Sequence, residues 1–426
     1  MGLMVDNPAA DKYNIVPVER IFQIHRSPCR VVLAITGGGA EIIGELLRHG
    51  SGSATLLDAV VPYGTDAMDK FLGRKPEKYC SEKTARLMAM VAYQRALDLL
   101  KGNEFAGQDL IGIGATCKLK AANEREGRKH EIHVAVQAAC ETGVRSLELT
   151  ADRTREEEEK IAALLIFNTL AQHCDVPEVD FLDVIEAGKS RNEEPIEKSV
   201  EKYESVPEPV GNLLNQKTCA QDGSYENLGL TIINLKEKAS RGHGEFGKIR
   251  LVFPGSFDPC HRNHVLMAKL ASEKLGEPVY FEISLTNVDK PPIDFISLNQ
   301  RLDSLRVYKD EAFMGGICLT NAPLFLQKAA LFPGSTFIVG ADTLNRIFDA
   351  KYYNGSIDTP SILSFFKEKN VRFIVFRRKS VEFRISPEIL DFCEVIPLDE
   401  YEDDGISSTE IRKKIEERRK KIEERR

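Results

Sequence analysis

Apolar positions along the chain fall into two blocks with strand-like and helix-like spacing, and a polar stretch separates them. In the first block, residues 30–36 (Arg-Val-Val-Leu-Ala-Ile-Thr) read as a short buried strand. They run into Gly37-Gly38-Gly39 and then a helix from Ala40 to His49, closed by Gly50. Residues 12–28 read as an amphipathic helix and 55–63 as a second strand. Ser81 is placed to cap a long helix, 82–100. Strands follow at 110–116, 130–138 and 146–150. Thr154-x-x-Glu157 is a capping box that opens a last helix reaching Leu170. This pattern predicts a complete α/β domain over residues 12–185.

From residue 247 strands and helices alternate regularly. Strands are expected at 249–253, 279–285, 316–320, 336–340, 371–376 and 394–398. Helices are expected at 264–275, 297–312, 324–331, 342–348 and 360–369. Such alternation predicts a doubly wound parallel sheet, whose ligands bind beyond the carboxyl ends of the strands. Between the blocks, residues 186–246 are dominated by Glu, Lys, Ser, Pro and Gly. They predict a largely flexible linker, with 228–235 as a short edge strand or docking element. Residues 413–426 repeat Lys-Lys-Ile-Glu-Glu-Arg-Arg twice and predict a charged, solvated helix held by i,i+4 pairs.

Length supports the two-block division, because 426 residues exceed one ordinary core. No apolar run is long enough to cross a bilayer, and the first residues lack a secretory pattern. Nine scattered cysteines without CxxC pairs suit reduced thiols in the cytoplasm. A net charge of -7 gives no general case for nucleic acid, and a membrane partner is not expected either. A homo-oligomer is compatible with all of this.

The candidate chemistry gathers in three stretches of the second block. Residues 251–264 carry a strand, a Pro254-Gly255 turn and two histidines, His261 and His264, at a helix start. Strand end, glycine turn and helix N-terminus together suit an anion, with Gly255 expected to let a ligand approach the backbone. The second stretch is Gly340-Ala341-Asp342-Thr343, again a strand end entering a helix. The third is Ile406-Ser407-Ser408-Thr409-Glu410-Ile411-Arg412, with a Ser407-x-x-Glu410 capping box and a bidentate cation in Arg412. Alone, His-x-x-His is usually a surface accident and a capping box usually only caps. Their joint occurrence in the right contexts is specific.

These stretches resemble the nucleotidylyltransferase superfamily that includes the nicotinamide-mononucleotide (NMN) adenylyltransferases and the cytidylyltransferases. Gly-x-Phe-x-Pro-x-His-x-x-His is present at 255–264, and Ile-Ser-Ser-Thr-x-Ile-Arg is complete at 406–412. The resemblance covers roughly 247–412 and implies a Rossmann-like fold. It implies transfer of a nucleotidyl group from a nucleoside triphosphate to a phosphorylated acceptor, with pyrophosphate leaving. His261, His264 and Arg412 would stabilise the phosphates. Gly255, Ser256, Phe257 and Asp258 would cradle the triphosphate by their backbone, with Gly340, Asp342, Ser407, Ser408 and Thr409 completing the nucleotide site. Mg2+ would be bridged by the phosphates, with no ligand from a protein side chain. Asn287 and Lys290 are the expected contacts to the acceptor. One departure is Asn263, where the family usually has Gly. Asn tolerates the left-handed backbone expected there. The Ser-Ser-Thr run and Gly340-Ala-Asp-Thr lean towards ATP and NMN or nicotinate mononucleotide, hence NAD biosynthesis. Cytidylyl transfer to a phosphorylated alcohol and a non-catalytic nucleotide-binding scaffold are the alternatives.

Residues 30–140 resemble the C-terminal domain of CinA proteins, the pyridine-nucleotide amidase fold. The matching text includes Ala34-Ile-Thr36-Gly37-Gly38, Val60-Val-Pro-Tyr63, Ser81-Glu-Lys-Thr84-Ala85 and Gly112-Ile-Gly-Ala-Thr116. The family's nucleophilic Ser falls at Ala34 and its Lys at Met68, and a glycine-rich turn is replaced by Cys117-Lys-Leu-Lys120. Without a hydroxyl and an amine to activate it, acyl chemistry has no start. The resemblance therefore implies a CinA-like α/β domain without amidase activity. A ligand site at Gly37–Gly39 and a merely structural turn there stand as alternatives.

Overall fold

The structure, a computed structural model, describes residues 14–100, 108–123, 127–150, 153–181, 196–215, 227–233, 235, 249–288, 290–353, 357–377, 386–398, 400–401, 408, 410–412, 414 and 417. The chain divides into two units. One is Met1–Gly211 with Asp289–Ile296, and the other is Asn212–Val288 with Ser297–Arg426.

The first unit is built on β1 (Cys29–Thr36), β2 (Leu56–Val60), β3 (Asp109–Lys118), β4 (His130–Gln137), β5 (Glu141–Leu149) and β6 (Ile196–Ser205), in the order β2-β1-β3-β4-β5-β6. β1 is parallel to β2 and β3, and the later pairs are antiparallel. Side chains alternate across a strand, so β1 feeds two cores. Val31, Leu33 and Ile35 join Ile42, Leu46, Ile161 and Ile166 on one face. Val32 and Ala34 join Met68, Leu72, Met88 and Ala92 on the other. Burial on both faces explains why β1 is almost continuously apolar. The helix Glu82–Leu99 lies so close to β3 that a Cβ at Gly112 would be 2.2 Å from the Tyr93 amide nitrogen. Both expected helix caps are present. Ser81 Oγ accepts from the Thr84 amide at 3.2 Å, and Thr154 with Glu157 forms the capping box.

The expected linker is partly ordered sheet. β6 pairs along the whole of β5, and the helix Glu208–Asn215 follows it. Tyr203 explains part of the docking: its hydroxyl accepts from Arg145 Nε at 3.0 Å and donates to Gln172 Oε1 at 2.7 Å. The segment Asp289–Ile296 also belongs to the first unit. There Asp294 forms a buried ion pair with Arg86 at 2.6 Å, and the Phe295 amide donates to Thr142 Oγ1 at 3.0 Å.

The second unit is built on β7 (Leu230–Ile233), β8 (Leu251–Pro254), β9 (Val279–Ser284), β10 (Met314–Thr320), β11 (Thr336–Gly340), β12 (Arg372–Phe376) and β13 (Cys393–Ile396). The order is β13-β12-β11-β8-β9-β10-β7. Every pair is parallel except β7 with β10, so the expected edge strand is present and antiparallel. The chain winds outward from β8 through β9 to β10, then crosses to β11 and winds the other way. The switch of direction therefore lies between β8 and β11. Their ladder covers only Thr336↔Leu251 and Phe337↔Val252, while the strands run on to Gly340 and Pro254. A crevice at such a switch is where doubly wound sheets bind ligands.

A buried ion pair ties the helix Phe325–Leu331 to this sheet. Lys328 Nζ lies 2.7 and 2.8 Å from the two oxygens of Glu282 on β9. Thr320 and the Ala322 carbonyl complete the hydrogen bonds. Removing one partner of such a pair costs roughly 3–5 kcal/mol. Among the described residues, no helix is long and apolar enough to cross a membrane.

Candidate active site

The first signature leaves β8 at Pro254 and turns sharply. Phe257 takes a left-handed φ of 42°, which is strained for a bulky residue at a cost of about 1–3 kcal/mol. Packing holds it there. Its fully buried ring meets Phe253, Phe281 and His264 edge-on, with centroids 5.4, 5.2 and 5.1 Å away. Gly255 makes this possible, because a Cβ there would be 2.6 Å from the Phe257 ring. Glycine at 255 therefore has a packing reason of its own. The space at its Cα is filled by Phe257, and its amide donates to the Glu282 carbonyl at 3.0 Å. The amides of Ser256, Phe257 and Asp258 are then the ones that could face a triphosphate, and the Phe257 side chain belongs to the core.

Four successive carbonyls of this loop are tied down by side chains from two other segments. Arg301 Nη1 donates to Ser256 O at 3.2 Å, and the Ser304 hydroxyl, 2.7 Å from Arg301 O, shares its proton with Phe257 O at 3.3 Å. Both residues lie on the helix Phe295–Arg306. Arg412 Nη1 donates to Asp258 O at 2.5 Å, and Ser408 Oγ donates to Pro259 O at 3.1 Å. The Asp258 carboxylate is flanked by Arg412 Nη1 at 3.2 Å and Arg301 Nη2 at 3.6 Å. The Cys260 amide donates to Ser304 Oγ at 3.0 Å. The two sequence signatures, about 150 residues apart, thus form one structure.

His261 is the N-cap of the helix Arg262–Leu275 and is buried. Its ring stacks on that of His264, with centroids 3.7 Å apart. The His261 amide donates to His264 Nδ1 at 3.3 Å, which leaves the proton of a neutral His264 on Nε2. That N–H is a donor set at a helix N-terminus, where the backbone dipole already favours an anion. Asn263 needs no left-handed backbone, because it is buried inside the helix rather than in a turn. Burial pushes the Cys260 thiol up to about 12, opposed by a backbone hydrogen bond from His261, so it is no nucleophile at neutral pH.

At the other side of the switch, Gly340 is the buried N-cap of the helix Ala341–Ile347, and Asp342 is in its first turn. Ser407 and Thr409 lie outside the described residues. Asn287 and Lys290 are both exposed, but Asn287 belongs to the second unit and Lys290 to the first.

In the first unit, Ala34 and Met68 are buried in the same apolar cluster. The glycine turn after β1 meets an anion from its own chain. Glu159 Oε1 accepts from the Gly39 and Ala40 amides at 2.7 and 3.1 Å, and Arg155 Nη2 donates to Gly37 O at 2.8 Å.

Residues 252–414 match the model of the cytidylyltransferase-like family. The matched segment carries both sequence signatures, 255–264 and 406–412. No curated protein matches the chain. Solved structures similar to part of the chain include the following two. Competence/damage inducible protein CihA from Agrobacterium tumefaciens is 21% identical with a TM-score of 0.29, over 40% of this chain and 98% of its own. A competence-damaged protein (CinA) superfamily protein from Escherichia coli is 17% identical with a TM-score of 0.29, over 40% of this chain and 92% of its own.

Within the cytidylyltransferase-like domain, Arg301 and Ser304 are the residues that the sequence reading missed. They follow the first signature by some forty positions and resemble the solvated face of an amphipathic helix. Their spacing of three, which puts both on one helix face, is the signal that was available.

Proposed function

We propose that the C-terminal domain transfers an adenylyl group from ATP to the phosphate of NMN or nicotinate mononucleotide. The supporting observation is the pinned loop. Arg301, Ser304, Ser408 and Arg412 hold residues 256–259 so that two histidines stand at a helix N-terminus beside the sheet's switch point. The acceptor phosphate oxygen attacks the α-phosphorus, a new P–O bond forms, and the bond to the bridging oxygen breaks. Pyrophosphate leaves with the electron pair. The protein supplies position and charge rather than a covalent intermediate. His261 and His264 donate to phosphoryl oxygens, and Arg412 offsets charge at the β/γ end.

Mg2+ suits this donor set as an ion carried by the substrate. Asp258, the carboxylate in the loop, is already engaged by two guanidiniums, so the phosphates would supply the ligands. The ion would neutralise charge on the triphosphate. The leaning to ATP and a mononucleotide rests on the Ser-Ser-Thr run and on Gly340-Ala-Asp-Thr, and it makes this a step of NAD biosynthesis. The family description favours a second reading, cytidylyl transfer to a phosphorylated alcohol.

For the N-terminal unit we propose no amidase activity. The family's nucleophile and lysine positions are an apolar contact here, and Glu159 occupies the glycine turn.

The test is pyrophosphate release by the full chain with Mg2+ and either ATP or CTP. The acceptors are NMN, nicotinate mononucleotide, phosphocholine and glycerol phosphate. Release with ATP and a mononucleotide supports the leading reading. Release only with CTP supports the second. Nucleotide binding without release from any acceptor overturns both in favour of a scaffold.

A further inference from the structure

One group of side chains in the first unit has the composition of a metal centre. Glu131 and His133 stand two apart on β4, so both project from one face. Cys80 precedes the helix N-cap Ser81 and reaches the same place. One ligand atom from each residue lies within 4.8 Å of the others, and all three residues are half-buried.

The surroundings orient these ligands. His133 Nδ1 is 2.8 Å from the hydroxyl of Ser146, its register partner on β5. When that hydroxyl accepts the Nδ1 proton, the Nε2 lone pair points towards Glu131 Oε2, 3.4 Å away. In the other tautomer Nε2 donates to Glu131 and the Ser146 hydroxyl donates to Nδ1, so a cation entering between Nε2 and the carboxylate takes the place of one proton. A ligating histidine usually donates its other ring N–H to an outer acceptor, and the Ser146 hydroxyl is placed to serve as one. The other Glu131 oxygen is 3.8 Å from Lys118 Nζ, which leaves one oxygen for the ion. Among the described residues, the Cys80 Sγ contacts are long, 3.7 Å to Thr116 O and 3.9 Å to the Glu131 backbone O.

We propose that Cys80, Glu131 and His133 bind a zinc ion through thiolate, carboxylate oxygen and Nε2, with the fourth position open to water. Sulfur and nitrogen donors with one carboxylate suit zinc rather than magnesium or calcium. Two anionic ligands balance the dication, and binding releases the thiol proton.

The test uses the full chain, stripped with chelator and titrated with Co2+ as the probe. The expected result is one equivalent bound, with a thiolate-to-cobalt charge-transfer band that Zn2+ abolishes. Cys80→Ser should lose the band. Ser146→Ala should keep it and weaken affinity by roughly 10–100-fold. Glu131→Gln, which preserves size, should weaken Co2+ binding at least about tenfold and covers the case in which Cys80→Ser does not fold. No band in the unaltered chain, an unchanged band in Cys80→Ser, or unchanged affinity in Glu131→Gln overturns the proposal.

Discussion

The rings of His261 and His264 stack with 28° between their planes, and the His261 amide donates to His264 Nδ1. Two imidazolium ions at that separation would repel, and the helix dipole disfavours both. Under the proposed function a phosphate bound there would reverse the balance by placing negative charge beside both rings.

His261→Ala is expected to lower the rate of nucleotidyl transfer by about 10²–10³-fold, the usual effect of losing one donor to a developing phosphoryl charge. The fold should survive, since His264 remains packed against Phe253 and Phe257. Turnover and thermal melting on the same sample check both halves. Ordinary turnover in a folded variant would remove His261 from the site.

Arg301→Lys separates charge from geometry. A lysine keeps the positive charge, but it cannot reach the Ser256 carbonyl and the Asp258 carboxylate as a planar fork does. Turnover is expected to fall about tenfold in Arg301→Lys and further in Arg301→Ala, in line with a hydrogen bond to a charged group worth about 1.5–3 kcal/mol. Equal activity of Lys and Arg at this position would show that the loop needs only the charge.

A pH effect is expected in the first unit. Burial holds the His25 imidazole below its ordinary value of 6.5, opposed by a hydrogen bond with the Leu46 carbonyl. Below 6.5 the unfolded chain takes up a proton that the folded chain refuses, so stability falls as pH falls. The loss begins near the unfolded value and is complete at the lower folded one. Urea unfolding above and below that pH should show the slope, and His25→Gln should flatten it. An identical slope in the variant would place the effect elsewhere.

Most of the fold was legible because hydrophobic periodicity and caps are local signals. Ser81, Thr154 and the β8-to-helix junction could each be read from a few residues. β6 could not. In Ile196-Glu-Lys-Ser-Val-Glu-Lys-Tyr-Glu-Ser the apolar residues do not alternate, and its exposed composition looks like a linker. Its place is set by β5, through pairing of backbone groups that carry no sequence signature. In the site, the signatures gave His261, His264, Ser408 and Arg412, and the structure joins the last two to the loop. The packing of Phe257 against Gly255 was not legible, because a glycine that admits a ligand and one that admits an aromatic ring look alike in sequence. The spacing of Arg301 and Ser304 puts both on one helix face, but the role of Arg301 depends on where the loop lies.

The central claim is that the two joined signatures carry adenylyl transfer to a pyridine mononucleotide. The most direct measurement is product analysis of the full chain with Mg2+, ATP and NMN or nicotinate mononucleotide. The account predicts a pyridine dinucleotide formed in step with pyrophosphate, and loss of both in His261→Ala. Pyrophosphate formed only from CTP, or nucleotide bound with no dinucleotide from either acceptor, would contradict it.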